Sequence, residues 1–112
     1  MQRQFRLTNQ RSFDYIYKHG KCVSDNLFTL VSLAGKYPNF KVGFVTGKKV
    51  GKSVVRNKIR RRMREAFRQC KDDVEGFTSY ILVAHADASK ATFCEISESV
   101  KTLLDRAGKL KK

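Results

Sequence analysis

The chain has 112 residues, 41% of them hydrophobic, and carries 24 Lys and Arg against 10 Asp and Glu, a formal charge of +14. That length fills one modest core and leaves no material for a second, while the charge points to a polyanionic partner whose binding weakens steeply with salt. Three cysteines without a C-x-x-C pair speak against a disulfide framework or a zinc site, and the longest apolar run, Tyr80 to Ala84, is far too short to span a membrane, so a cytoplasmic protein without membrane association is expected.

Residues 1–112 read as one domain, with Lys109 to Lys112 a frayed basic tail. Thr8 can cap a first helix on which Phe13, Ile16 and Tyr17 share one side and which stops at Gly20. Lys21 to Asp25 suits a short strand and Leu27 to Leu33 a longer one. Alternation puts Leu27, Thr29, Val31 and Leu33 on one face and Phe28, Leu30 and Ser32 on the other. A turn through Ala34, Gly35, Tyr37, Pro38 and Asn39 is expected to fold Phe40 to Thr46 back as a hairpin partner. Beyond the Lys48–Gly51 loop, Ser53 can cap a basic helix that runs to about Val74 and closes at Gly76. Thr78 to His85 has the composition of a central strand buried on both faces, joined to Phe40–Thr46 by a parallel crossover. A last helix opens with the capping box Thr92-Phe93-Cys94-Glu95 and buries Phe93, Ile96, Val100, Leu103, Leu104 and Ala107. The expected order is αβββαβα, an α+β sandwich with a mostly antiparallel sheet and one parallel β-α-β crossover.

The basic helix carries the chemistry. From Lys48 to Lys71 there are eleven Lys and Arg against the single Glu65, a net charge of +10. Val55, Ile59, Met63, Ala66, Phe67 and Cys70 form one apolar stripe about 120° wide, and the opposite face holds Asn57, Arg61, Arg64 and Arg68, flanked by Lys58 and Arg60. An ordinary solvated face mixes signs, because like charges at i,i+4 cost roughly 0.2–0.5 kcal/mol per pair. Here Lys58/Arg62, Arg60/Arg64 and Arg64/Arg68 are all like pairs, and Glu65 can relieve only Arg61, Arg62 and Arg68. The helix gives up local stability for a positive field, which suits phosphate. A membrane-surface helix would need its apolar stripe free for lipid, whereas this chain needs that stripe for its core. Arg56 falls inside the apolar arc, so either the first turn projects from the domain or carbonyls or carboxylates at the crossover hold the guanidinium. With Asn57 and Lys58 it forms a functional cluster. His19 and His85 stand alone, and no nucleophile set or carboxylate pair can be argued from spacing, so no protein-borne catalytic centre is expected. Nucleic acid is the expected polyanion, and a general RNA-binding protein fits better than a DNA reader, since a helix face of Arg and Lys suits phosphates more than base edges.

Lys48-Lys49-Val50-Gly51, then Val54-Val55-Arg56-Asn57-Lys58-Ile59-Arg60-Arg61, then Arg64-Glu65-Ala66-Phe67 resemble the signature of the bacterial ribonuclease P protein subunit. Phe5-Arg6-Leu7, the Phe13 to Gly20 helix, Lys41-Val42-Gly43 and the late helix also fall in that family's order and spacing, so the resemblance spans nearly the whole chain. It implies a ribosomal protein S5 domain 2-like fold with a left-handed crossover, against the usual right-handed preference. It also implies a non-catalytic subunit that binds a catalytic RNA and the 5′ leader of precursor tRNA, one protein per RNA, in an endonuclease whose magnesium ions are held mainly by RNA. By position, Lys48, Lys49, Arg56, Asn57, Lys58, Arg60, Arg61, Arg64 and Arg68 match the region that faces the catalytic RNA. Phe13, Tyr17, Thr29, Val31 and Phe44 match the leader-binding cleft. Three positions depart from the common pattern. Val31 stands where many members place an aromatic residue and cannot stack a base, which would shift leader contacts toward Thr29 and Phe44. Lys58 replaces the commoner Arg and loses its bidentate phosphate geometry. Ser53 stands where Ala is common.

Overall fold

The computed structural model describes residues 10–35, 40–74, 76 and 78–109. Within them α1 (Gln10–His19) leads into β1 (Lys21–Ser24), β2 (Phe28–Ala34) and β3 (Lys41–Thr46). A 3-10 turn at Lys48–Val50 precedes α2 (Ser53–Gln69), then come β4 (Thr78–Ala84), a second 3-10 turn (Ala86–Lys90) and α3 (Phe93–Arg106). The expected order of helices and strands holds. The Thr8 cap, the turn residues Tyr37 to Asn39 and the tail beyond Lys109 lie outside the described residues.

The strand order is β1-β2-β4-β3, which corrects the expected β2–β3 hairpin. β4 lies between them, antiparallel to β2 with Leu30 opposite Leu82, and parallel to β3 with Val42 beside Tyr80. The cause is composition. Tyr80, Ile81 and Leu82 are all fully buried, so β4 needs cover on both faces and a neighbour on each side. β3, which contains Lys41 and Gly43, takes an edge. The hairpin of the sheet is β1–β2 instead. Its turn is held by Asp25, whose Oδ1 accepts from the N–H groups of Leu27 (2.8 Å) and Phe28 (2.9 Å).

Helices α2 and α3 cover one face of the sheet. Phe28, Leu30, Val42, Tyr80 and Leu82 meet Ile59, Met63, Ala66 and Phe67 of α2, and Ile96, Val100, Leu103 and Leu104 of α3. Phe67 is the hub, with ring centroids 5.5 Å from Phe40, 5.7 Å from Tyr80 and 6.0 Å from Phe44. The other face carries a smaller core of Ile16, Val31 and Ile81 beneath α1, with Phe13, Leu33, Val45 and Val83 at its margin. Alternation along β2 therefore holds for Thr29, Val31 and Leu33. Leu27 precedes the strand and joins the larger core instead. Gly20 allows α1 to lie close to the sheet, since a Cβ there would come within 2.6 Å of the Ile16 carbonyl oxygen and 2.9 Å of that of Ser32.

The helix ends show where periodicity misleads. Ser53 does not cap α2. Lys52 occupies the N-cap with no side-chain bond. The helix stops at Gln69 rather than near Val74, and the turns at Cys70 to Asp73 carry Val74 back into the core, which continues the apolar spacing without the helix. The Thr92/Glu95 capping box forms as expected, with Glu95 N–H donating to Thr92 Oγ1 at 3.2 Å and Thr92 N–H to Glu95 Oε1 at 3.0 Å. Lys109, expected in the frayed tail, closes α3 by donating to the Leu104 carbonyl at 2.9 Å, past Gly108 at φ 72°.

Asp25 also joins the β1–β2 turn to α3, because Ser99 Oγ donates to its Oδ2 at 2.5 Å. Burial works to raise the Asp25 pKa, but the bonds from Ser99, Phe28 and Leu27 outweigh it and hold the carboxyl below its ordinary value. A lowered folded value means that this stabilisation is complete above the unfolded pKa of about 3.9 and disappears as pH falls through the folded one. Asp25→Asn is expected to destabilise the protein by about 1–2 kcal/mol at neutral pH. In urea titrations from pH 7 down to pH 2, the gap between variant and parent should close at the acid end.

Candidate nucleic-acid interface

The outer side of α2 is cationic because its inner side is consumed by the core. Ile59, Met63, Ala66, Phe67 and Cys70 are buried and Val55 is half-buried, so the expected apolar stripe points inward and the remaining arc points out. Asn57, Lys58, Arg61 and Arg68 are exposed there, and Arg56, Arg60, Arg62 and Arg64 are half-buried. Lys48 and Lys49 are exposed on the preceding 3-10 turn. That turn enters the helix through Gly51 at φ 148°, a conformation other residues rarely adopt, where a Cβ would also meet Val55 Cγ1 at 3.0 Å.

The basic residues differ in what they are already holding. Arg60 Nη2 donates to Thr46 Oγ1 at 2.8 Å, fastening α2 to the end of β3. Arg62 Nη1 donates to the Ala91 carbonyl at 3.3 Å, fastening it to the start of α3. Arg68 makes two bonds to Glu65, Nε to Oε2 at 3.0 Å and Nη2 to Oε1 at 2.5 Å, and this guanidinium holds Glu65 below the usual carboxylate range. Lys48, Lys49, Asn57, Lys58 and Arg61 make no side-chain hydrogen bond or ion pair with a described residue. Arg56 answers the question its position raised. Neither a carbonyl nor a carboxylate among the described residues holds it. Its Nη2 donates to Ser53 Oγ at 3.0 Å, and its buried Nε has no described partner.

A second surface lies across the sheet, beside α1. The Phe13 ring rests over Gly43, where an added Cβ would come within 2.3 Å of the ring's Cζ, so the missing side chain makes room for the aromatic. Tyr17 is 44% exposed, and partial burial, with a smaller electrostatic contribution from neighbouring Cys22, pushes its hydroxyl pKa above the ordinary value. Thr29 Oγ1 shares a hydrogen bond of 2.7 Å with His85 Nε2. Phe13, Tyr17 and Thr29 thus belong to one face of the molecule. Val31 lies beneath them, 1% exposed, as part of the core under α1. Phe44 does not join them. It pairs in register with Leu82 and packs edge-on to Phe67 on the opposite face, because strand parity separates it from Gly43 and Val45. Sequence reasoning missed Val45, Val83 and His85 on the α1 side. Alternation along β4 and past its end, Ile81, Val83, His85, was the available signal.

Among the described residues no three His, Cys, Asp or Glu side chains come together as a metal site requires, and no helix is long and apolar enough to cross a membrane. The surfaces offer cations, an aromatic ring, a phenol and a polar pair. That set can bind and position a polyanion.

A family model described as Ribonuclease P matches residues 1–108. The ribonuclease P protein component of Geobacillus sp. is 30% identical over 113 residues, covering 100% of this chain and 97% of the relative. That of Clostridium kluyveri is 36% identical over 106 residues, covering 93% and 95%. The solved structure of the Staphylococcus aureus RNase P protein is similar with a TM-score of 0.89 at 30% identity, over 96% of this chain and 98% of that one. The RNase P protein from Thermotoga maritima reaches 0.83 at 28% identity, over 90% and 96%.

The division between engaged and free cations has a measurable consequence. Arg61→Ala is expected to weaken RNA binding and lower the slope of log affinity against log salt by about one. Arg68→Ala, whose guanidinium is already held by Glu65, should change that slope by less than half as much. Filter binding across a potassium chloride series measures both.

Proposed function

The chain belongs to the ribonuclease P protein family and is the non-catalytic protein subunit of that ribonucleoprotein enzyme, which removes the 5′ leader of precursor tRNA; from that premise we propose that its two surfaces divide the binding. The outer face of α2, with Lys48 and Lys49, holds the catalytic RNA. The α1 side of the sheet holds the single-stranded leader. The observation that carries this reading is the separation of the two surfaces by the sheet itself: α2 packs on one side of it and α1 on the other.

On the α2 side, Lys48, Lys49, Lys58 and Arg61 supply phosphate contacts, and Asn57 a neutral donor and acceptor among them. Contacts of this kind fix register without reading sequence. Arg60 and Arg62 act first as fasteners that hold the helix to β3 and α3, so the free cations keep their spacing. On the α1 side, Phe13 and Tyr17 offer aromatic surface on which any base can stack, and the Thr29–His85 pair offers polar contacts at the edge. Val31 supports this surface from below, and Phe44 serves the core.

The catalytic contribution is electrostatic and positional. A protein of charge +14 between two RNAs reduces their mutual repulsion and orients the leader relative to the scissile phosphate. Magnesium, which the family's reaction uses, is on this reading held by the RNA, and no step is assigned to an ion on the protein. The complex acts in the cytoplasm with one protein per RNA.

The division of surfaces makes the two sites separable. Tyr17→Ala in the holoenzyme is expected to weaken precursor tRNA about tenfold while leaving mature tRNA and assembly with the catalytic RNA unchanged. Equilibrium binding of both tRNAs to the assembled enzyme is the check, and equal losses for the two would contradict the assignment of the leader to the α1 side.

A further inference from the structure

Between α2 and the first turn of α3 lies an open groove of about 340 Å³, lined by Lys58, Arg61, Arg62, Glu65 and Phe93. Its walls follow from local geometry. Lys58, Arg61, Arg62 and Glu65 are spaced three, one and three residues apart and so stand along one side of α2. Phe93 opens α3 directly after its capping residue Thr92, and the Arg62 bond to the Ala91 carbonyl ties the two walls together.

The lining is chemically mixed in a specific way. Phe93 packs against the larger core but is only half-buried, and its ring contacts no other ring among the described residues, unlike Phe40, Phe67 and Tyr80 nearby. Lys58 and Arg61 are exposed and engage no described residue. The Glu65 carboxylate is held ionised by Arg68, and each of its oxygens keeps accepting capacity for a further donor. A free phosphate would use the cations and ignore the ring. A nucleotide uses all three features: its base lies against Phe93, its phosphate meets Lys58 and Arg61, and an exocyclic amine donates to Glu65.

We infer that this groove seats one unpaired nucleotide of the catalytic RNA, stacked on Phe93 with an amino-bearing edge toward Glu65. The inference rests on the reading of α2 as the catalytic-RNA face and deepens it, because it adds a base contact to a surface otherwise made of phosphate contacts. It also gives Glu65, the single acid from Lys48 to Lys71, a role beyond neutralising Arg68.

The chain has no Trp, so Phe93→Trp installs a single indole as a reporter. Its emission is expected to be quenched on binding the ribonuclease P RNA and unchanged by precursor tRNA added to the free protein. Phe93→Leu, which keeps an apolar side chain against the core, should bind the RNA about tenfold more weakly at a temperature well below its thermal midpoint, where the variant is fully folded. An unquenched indole in a complex that assembles normally would overturn the inference. So would quenching by precursor tRNA alone, or a leucine variant that binds as tightly as the parent. Assembly of the unsubstituted protein with the RNA is measured in parallel. Failure at that stage would remove the subunit reading itself, and is distinguishable from an empty groove in an assembled complex.

Discussion

The structure depends on the burial of β4 on both faces. Tyr80, Ile81 and Leu82 alternate sides and are all fully buried, so the sheet must be covered above and below, by different helices. The face of Tyr80 and Leu82 receives two helices and the large aromatic core. Among the described residues the face of Ile81 receives only α1, ten residues long, which covers Val31 and Ile81 and leaves Thr29, Val45, Val83 and His85 half-buried beside it. The face proposed to hold the leader is thus the one with the thinner cover among the described residues. Gly43 and Gly20 matter for the same reason, because they let α1 and its Phe13 ring approach the sheet closely enough to form one wall.

That burial also makes the basic helix affordable in energetic terms. Like-charged neighbours along α2 cost a few tenths of a kcal/mol each, whereas each fully buried Ile, Met or Phe side chain stabilises by about 1.5–3 kcal/mol. Ile59, Met63 and Phe67 are all 1% exposed or less, so anchoring exceeds repulsion several-fold and the outer face can be given over to charge. Arg60 and Arg62 use their charge locally, as hydrogen-bond donors to β3 and to the loop before α3, and Arg68 is balanced by Glu65. What remains directed outward is a smaller set than the composition suggests, centred on Lys58 and Arg61 with Lys48 and Lys49.

Local periodicity carried most of the fold. The apolar stripe of α2, the capping box of α3 and the alternation of β2 each repeat within a few residues, so the sequence shows them directly. Strand order is different, because partners distant in sequence decide it. Adjacency suggested a β2–β3 hairpin, yet the doubly apolar run of β4 already required two neighbours, and satisfying it separates β2 from β3. The same non-local fact decides Phe44, whose parity in register with Leu82 sends it to the core. Val74 shows a subtler limit: apolar spacing persists through a turn that is no longer helical, so periodicity overran the helix end. At the candidate interface, the sequence showed which residues are basic, and geometry was needed to separate those that fasten the helix from those that are free. Arg56 belongs to the unreadable part, since its partner is a hydroxyl one helical turn back.

On the proposed reading this protein contributes positioning and charge to chemistry carried by RNA. The decisive measurement is single-turnover cleavage of a precursor tRNA by a bacterial ribonuclease P RNA at low magnesium, with and without the protein, beside the protein alone. Accurate 5′ cleavage restored only when both components are present is the expected result. Cleavage by the protein alone, or no gain on adding it to the RNA, would contradict it.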